Sequence, residues 1–464
     1  MRRGALAAAL AVAALLAPAA PAGAALPNIK HVFIVILENE DASTTYGPGT
    51  KAPYLAHTLR AQGAFVPGYF GTGHLSLDNY VSMVSGQGPN PYTQADAPAY
   101  IDFAPGLPGP DGQFIGQGSV YPAAVRTIAN QLDDKGLTWR GYMEDMGRDP
   151  SRGVPRTCGH PAVGSPDRTQ NASKGDQYAM RHNPFVYFHS IIDNQAECDA
   201  NVVPLNRLPG DLVAASTTPS YSFITPNLCH DGHDTGCANG EPGGLVSANA
   251  FLKRWIPKIL RSRAYADRGL VIITFDEAAT HDASACCGET QGPNTPNNGG
   301  PTPGAGGGRI GAVLLSNFIK PGTVSKFRYN HYSLLRSLEN LFGLGHLGYA
   351  AASGLRPFGT DIFTNPGGKH LRPPAKPTIA LGQTPPGCVD HRFQLRVSAT
   401  GTGITVTVKL DKRLINSTTK HQFMQTIRAG RAKPGTHHIT ATATDRFGRR
   451  AAKSRTFVRC RSED

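Results

Sequence analysis

Past its first two dozen residues, the sequence has no apolar run approaching the length of a membrane span. A spanning helix needs about 20 predominantly apolar residues, so none is expected in the mature chain. Residues 1–24 read instead as a secretory signal. Arg2 and Arg3 form its charged start, Ala5 to Ala17 its short Ala-rich core, and Ala22-Gly23-Ala24 a small-residue cleavage site. The expectation is a soluble, secreted protein beginning near Ala25. Also missing is any stretch in which Lys and Arg alternate with aromatics, so no dedicated nucleic-acid surface is expected. No cysteine is left over, either: there are eight, at 158, 198, 229, 237, 286, 287, 388 and 460. An even count in an exported chain favours disulfides over a thiolate metal site. Cys388 and Cys460 stand alone in the last hundred residues and are expected to pair. Cys158 with Cys198 and Cys229 with Cys237 would be local closures. Cys286 and Cys287 either bridge each other or pair elsewhere.

What the chain does have is length and positive charge. Its 464 residues can bury a large core and suggest two domains. The formal charge of +13 falls to +11 once Arg2 and Arg3 are removed. Such a balance draws a protein towards phosphorylated small molecules, nucleic acid, anionic lipid headgroups or an anionic membrane surface, although it also serves plain solubility.

Hydrophobic patterning gives the organisation. His31–Leu37 is a continuous apolar, β-branched run, as in a strand buried on both faces of a parallel sheet. Residues 137–143, 220–225, 269–275 and 310–316 read as further strands. Residues 52–63, 123–135, 246–260 and 332–342 read as helices, and another is expected to start at Ser76. Strands alternating with helices predict an α/β domain over residues 25–364, with a mostly parallel sheet and helices on both faces. Residues 365–387, rich in Pro, Gly and Lys, read as a linker. In residues 388–464 the period changes to two, with Gly and Asp turns, which predicts an Ig-like β-sandwich without a catalytic constellation.

Several strands of the first domain end in polar groups, where open α/β sheets place their ligands. Glu38-Asn39 follow the first strand, Asn227 to Asp234 follow another, and Asp276-Glu277 close a third. Gly71 to Tyr80 then supplies a hydroxyl, Ser76, between His74 and Asn79, behind glycines that let backbone approach a ligand. Serine is a weak nucleophile near neutral pH and needs a base or a metal. Glu38, Asn39, Asp276 and Glu277 would form a hard oxygen cage for a divalent ion, with Ser76 as a fifth ligand. His230, Asp231, His233 and Asp234 add a second dense cluster, able to bind metal, hold phosphate or protonate a leaving group.

Five ordered motifs resemble the bacterial phosphoesterase family of secreted acid phosphatases and phospholipases C, within the alkaline-phosphatase superfamily. They are Glu38-Asn39, His74-x-Ser76-x-x-Asn79-Tyr80, Pro226-Asn227 with Asp231-x-His233-Asp234, Thr274-Phe275-Asp276-Glu277 and Asn330-His331-Tyr332-Ser333-Leu334-Leu335. The resemblance covers about residues 29–363 and implies an alkaline-phosphatase-like fold. It implies that Ser76 forms a phosphoserine and that Asn79 binds a phosphoryl oxygen. His74, His233 and His331 would line the phosphate pocket, one of them as proton donor. Glu38, Asn39, Asp276 and Glu277 would hold the metal (Ca, Mg, Mn or Zn), and Asp231 and Asp234 would bind metal or orient histidines. His182-Asn183-Pro184 also looks family-like, and His182 and His230 are expected to touch substrate. The chain departs from the usual pattern at Leu75, Asp78, Glu40 and Asp41. Of these, Asp78 and Glu40 are expected to add negative charge near an anion site. A phosphomonoesterase is the leading reading. The alternatives are a phospholipase C, which would need an apolar groove, and a silent secreted binding module.

Overall fold

The computed structural model describes residues 26–461, so the expected signal segment lies outside the described residues. Eight strands form the main sheet: β1 (His31–Leu37), β2 (Ala64–Val66), β3 (Trp139–Met143), β4 (Val202–Pro204), β5 (Tyr221–Thr225), β6 (Gly269–Phe275), β7 (Ala312–Ser316) and β8 (Thr323–Val324). Their spatial order is β8-β2-β7-β6-β1-β5-β3-β4. Only β7 runs against the rest, antiparallel to both β6 and β2. Every residue of the central β1 and β6 is buried, so both faces of the sheet are covered, which explains their unbroken apolar runs. The α/β expectation therefore holds. β4 is too short and too mixed (Val-Val-Pro) to have been read from pattern.

The helices that matter here are α1 (Ser76–Ser85), α2 (Ile128–Asp134), α3 (Gly244–Leu260) and α4 (His331–Phe342). Capping sets several of their ends. Thr127 and Asn130 form a reciprocal capping box on α2, and Asn330 accepts from Ser333 N at the start of α4. Gly86 and Gly343, both left-handed, end α1 and α4. The expected helix over 52–63 contracts to a π-helical turn, Tyr54–Leu59.

The remaining strands are β9 (Thr378–Leu381), β10 (Cys388–Val389), β11 (Arg392–Thr400), β12 (Thr405–Leu410), β13 (Arg413–Thr418), β14 (Gln422–Arg428), β15 (Gly435–Thr444) and β16 (Arg450–Arg459). They form a three-stranded sheet, β9-β11-β14, and a five-stranded one, β10-β16-β15-β12-β13. The two share one core that includes Leu395, Val397, Val406, Val408, Ile427 and Ala441. β9 corrects the linker boundary. Ile379 and Leu381 point into this core, so residues 378–381 belong to the domain rather than to the preceding connection. The disulfides are Cys158–Cys198, Cys229–Cys237, Cys286–Cys287 and Cys388–Cys460.

Candidate active site

The register of the central strands builds the site. Leu37 of β1 lies opposite Phe275 of β6, so Glu38 and Asp276 leave the sheet side by side. Asn39 takes a left-handed turn (φ 52°) there. Its N–H donates to Asp276 Oδ1 (3.2 Å), which also accepts from Glu277 N (2.6 Å). Asp276 Oδ2 has no protein partner although it is buried. Asn39 Nδ2 donates to Glu277 Oε1 (3.1 Å). From the next strand, β5, the chain returns Asp231, whose carbonyl accepts from Glu38 N (2.9 Å) and whose Oδ2 is also buried without a donor.

Ser76 opens α1, and its hydroxyl donates to Glu38 Oε2 (2.8 Å). Tyr80, one turn on and on the same helix face, donates to the other oxygen of Glu38. His182 stacks on Tyr80, with ring centroids 5.3 Å apart. Its Nε2 lies 3.3 Å from Glu38 Oε2, and its Nδ1 lies 4.0 Å from Asp231 Oδ2. His233 stands at the mouth with 45% of its side chain exposed and Nε2 3.4 Å from Asn39 Nδ2. Glu38, Asn39, Ser76, Asp231, Asp276 and Glu277 thus converge, joined by His182 and His233.

Other expected residues take different places. Asn79 is fully engaged by the loop before the helix. Its Oδ1 accepts from Thr72 N (2.8 Å), Thr72 Oγ1 (3.1 Å) and Gly73 N (3.1 Å), and its Nδ2 donates to Gly73 O (2.7 Å) and Leu75 O (3.1 Å). It therefore shapes the loop, and no donor remains for a phosphoryl oxygen. His74 contacts Glu277 Oε2 through Nδ1 and donates Nε2–H to Asp282 O (2.9 Å), so it braces Glu277 from behind. His331 donates to the Asp276 carbonyl and accepts from Tyr69 Oη (3.2 Å). Burial pushes its pKa down to about 4. Neutral, and with both nitrogens in use, it is a strand-end brace rather than a phosphate ligand. His230 is turned away, between Glu144 Oε2 (2.8 Å) and Glu241 Oε2 (3.2 Å). Asp234 is 62% exposed and reaches only His233 Nδ1 (3.9 Å), which fits orienting that ring and not the buried cage.

Asp78 lies inside the protein, where its charge is disfavoured. It is buried, and both its oxygens lack donors. Burial and then the neighbouring Glu277 push its carboxyl pKa above the usual range. It packs on Gly73, where a Cβ would stand 2.7 Å from its oxygens, so a larger residue there would have to displace the Asp78 side chain. Glu40, partly buried, is pushed up to about 7 by desolvation and by Asp41.

Pattern did not reveal Asp96, which accepts from Leu77 N (3.0 Å) and caps α1 from nineteen residues downstream. Arg181 approaches the same carboxylate (Nε–Oδ2 3.5 Å). Neither stands in a motif or a periodic element. Tyr80 does stand in the second motif, which does not itself show it as a donor to Glu38, although a position four residues after Ser76 puts it on the same helix face.

The donor set suits a hard divalent cation. Burial holds the carboxyls of Glu38, Glu277, Asp231 and Asp276 above the usual range, and mutual repulsion adds to this at Glu38 and Glu277. A cation removes that penalty, and the oxygens of Asp276 and Asp231 without donors are where one would be satisfied. His182, neutral because burial lowers its pKa, has both nitrogens without a hydrogen-bond partner. The close triads of candidate ligands among the described residues, Cys229/His230/Glu241 and Cys286/Cys287/Glu289, lie elsewhere and use cysteines already tied in disulfides, whereas the carboxylates around Glu38 are not drawn into such a triad in this structure.

Residues 49–345 match the model of the Phosphoesterase family. A probable acid phosphatase of Kluyveromyces lactis is 27% identical over 322 residues, which is 69% of this chain and 59% of that protein. A phosphate-repressible acid phosphatase of Penicillium chrysogenum is 26% identical over 62% of this chain and 54% of its own length. The chain therefore spans little more than half the length of these fungal relatives. A phosphatidylinositol-3-phosphatase of Mycobacterium tuberculosis is 25% identical over 74% of this chain and 85% of that protein. Among solved structures, a Vibrio parahaemolyticus protein of the alkaline phosphatase superfamily aligns with a TM-score of 0.41 and 12% identity, covering 86% of this chain and 82% of its own.

Proposed function

The chain belongs to the phosphoesterase family, and on that footing we propose that it is a secreted, metal-dependent phosphomonoesterase working through a phosphoserine. The observation that carries the reading is the Ser76 Oγ–Glu38 Oε2 hydrogen bond of 2.8 Å at the start of a ten-residue helix, inside a ring of buried carboxylates. Asn39, Ser76, Asp231, Asp276, Glu277 and His182 are the groups that would hold the metal, while Glu38, whose two oxygens accept from Ser76 and Tyr80, is left to serve as the base. When bound, the ion lowers the pKa of the serine hydroxyl and neutralises phosphoryl oxygens.

Glu38 is placed to take the Ser76 proton as Oγ bonds to phosphorus and the ester P–O bond breaks. His233, at the mouth, is placed to hand a proton to the departing alkoxide. In the second half, water attacks phosphorus and gives its proton to His233, the Oγ–P bond breaks and Ser76 recovers its proton from Glu38. Asn79, His74 and His331 hold the loop and strand ends in position. The names of the relatives, acid phosphatases and a phosphatidylinositol-3-phosphatase, favour a phosphomonoester substrate, either a small phosphorylated molecule or a lipid headgroup. Four disulfides favour an oxidising compartment, which supports secretion.

The test is turnover of a chromogenic phosphate monoester and of its bis-ester, with and without chelator, in wild type and Ser76→Ala. Monoester turnover that chelator abolishes, metal restores and Ser76→Ala lacks is the expected result. Undiminished hydrolysis by Ser76→Ala would remove Ser76 as nucleophile. Turnover of the bis-ester alone would point to a phosphodiesterase.

A further inference from the structure

The chain's charge is not spread evenly. Residues 388–464 hold sixteen Lys and Arg against five Asp and Glu, a net +11, and the first 24 residues hold the other +2. Residues 25–387 are therefore neutral overall, with 28 of each sign. A catalytic domain at zero joined to a small domain at +11 separates chemistry from electrostatic attraction.

Part of that charge lines one cleft. At one end of the two-sheet domain, residues from β12, β13, β14 and the start of β15 enclose a cavity of ≈ 850 Å³. Lys412, Arg413, Arg428, Arg431 and Lys433 line it, and none of them makes an ion pair among the described residues. The one carboxylate of the lining, Asp411, is already engaged by His437 Nδ1 (2.9 Å) and His438 N (2.9 Å). The cleft therefore presents five cations beside a single carboxylate that already has partners. Folding gains nothing from crowding like charges, so a complementary ligand is the natural compensation.

The position of the cleft also fits a tether. The turn between β15 and β16 rests on the catalytic domain: a Cβ on Gly448 would meet His57, and Phe447 lies against Gly322. The cleft sits at the other end of β15, where Asp411 and His437 lie. Ten residues of strand separate the two ends, about 33 Å. A ligand held there leaves the carboxyl edge of the main sheet open.

We propose that this cleft is a docking site for a linear anionic polysaccharide, which would hold the enzyme at a charged glycan surface. The lining decides among polyanions. It contains no Phe, Tyr or Trp on which bases would stack, which disfavours single-stranded nucleic acid. Of its apolar lining residues only Leu414 is exposed, with Leu410 and Ile415 half-buried beside it in a concave wall, which disfavours insertion into a bilayer. The proposal does not rest on the phosphatase reading.

The test uses the full mature chain and fluorescently labelled dextran sulfate and polygalacturonate, with uncharged dextran and phosphatidylglycerol vesicles as comparisons. Binding is followed by anisotropy or sedimentation across a salt series. The cleft variant Lys412→Gln/Arg413→Gln/Arg431→Gln is set against a charge-matched control, Lys420→Gln/Lys453→Gln/Arg396→Gln. The expected result is salt-sensitive binding of the anionic polysaccharides but not of dextran. In the cleft variant, affinity at low salt should fall at least about tenfold, and the slope of log affinity against log salt should drop by about 2 to 3. The control should keep wild-type values, and both variants should keep the wild-type circular dichroism. Equal losses in the two variants would overturn the proposal in favour of bulk charge. Binding to the vesicles without binding to either polysaccharide would overturn it in favour of a membrane.

Discussion

Replacing Asn79 by Ala separates two roles that predict different measurements. If its amide bound a phosphoryl oxygen, the substitution would raise KM and weaken inhibition by inorganic phosphate while leaving the fold untouched. In the structure the amide instead makes five hydrogen bonds to residues 72, 73 and 75. Removing it strands the N–H groups of Thr72 and Gly73 and the carbonyls of Gly73 and Leu75. A buried polar group left unpaired costs about 1–3 kcal/mol. Entering water and loop relaxation offset part of the total, so a destabilisation of roughly 2–4 kcal/mol is expected. The loop also delivers Ser76, and a displacement of about 1 Å at a reacting atom costs on the order of 100-fold in rate. Differential scanning calorimetry together with steady-state kinetics on a chromogenic monoester reads both effects. The expected outcome is a fall of several degrees in Tm and a large loss of kcat, with the phosphate Ki nearly unchanged. An unchanged Tm with a raised phosphate Ki would refute the reasoning and restore Asn79 as a substrate ligand.

Asp276→Asn should lower the bound metal measured by elemental analysis, because it removes charge at an oxygen that has no protein donor; wild-type metal content would contradict the proposed cage. Glu339 on α4 is buried, and desolvation pushes its carboxyl up to about 8 from an ordinary 4.5. Above pH 4.5 the unfolded chain gives up this proton while the folded one keeps it, so the stability it contributes is full below 4.5 and is lost as pH rises towards 8. Glu339→Gln should flatten that slope and raise the unfolding free energy at pH 8 by roughly 2 kcal/mol or more, whereas equal slopes in both proteins would exclude this carboxyl as the cause. His230→Gln should leave kcat/KM within about threefold of wild type, since its partners are Glu144 and Glu241 and not the Ser76 site; a loss above about 100-fold would return it to the substrate pocket.

The sequence alone determined the elements and the chemistry available at their ends. Runs such as His31–Leu37 and Gly269–Phe275 are legible because a strand buried on both faces must be apolar throughout. The residues that follow them, Glu38-Asn39 and Asp276-Glu277, are legible as candidate site residues because such a pair recurs at the ends of two apolar strands, although either pair alone could be an ordinary turn. The alternation at Ile379 and Leu381 was equally present, but one short strand inside a Pro- and Gly-rich stretch carries too little period to outweigh its composition.

Only the tertiary structure decided which polar groups face the site and which support it. His74, Asn79, His230 and His331 look as chemical in sequence as His182 and His233 do. Their roles depend on where each ring or amide finds its partners, and those partners (Asp282, Thr72, Glu144 and Tyr69 among them) come from 7 to 262 residues away. The same holds for Asp96, which caps α1 from a loop, and for Asp78, whose pKa is raised by burial that no local pattern encodes. A motif specifies which functional groups are present. Their protonation and direction follow from desolvation and hydrogen-bond competition, and both are properties of the packed chain.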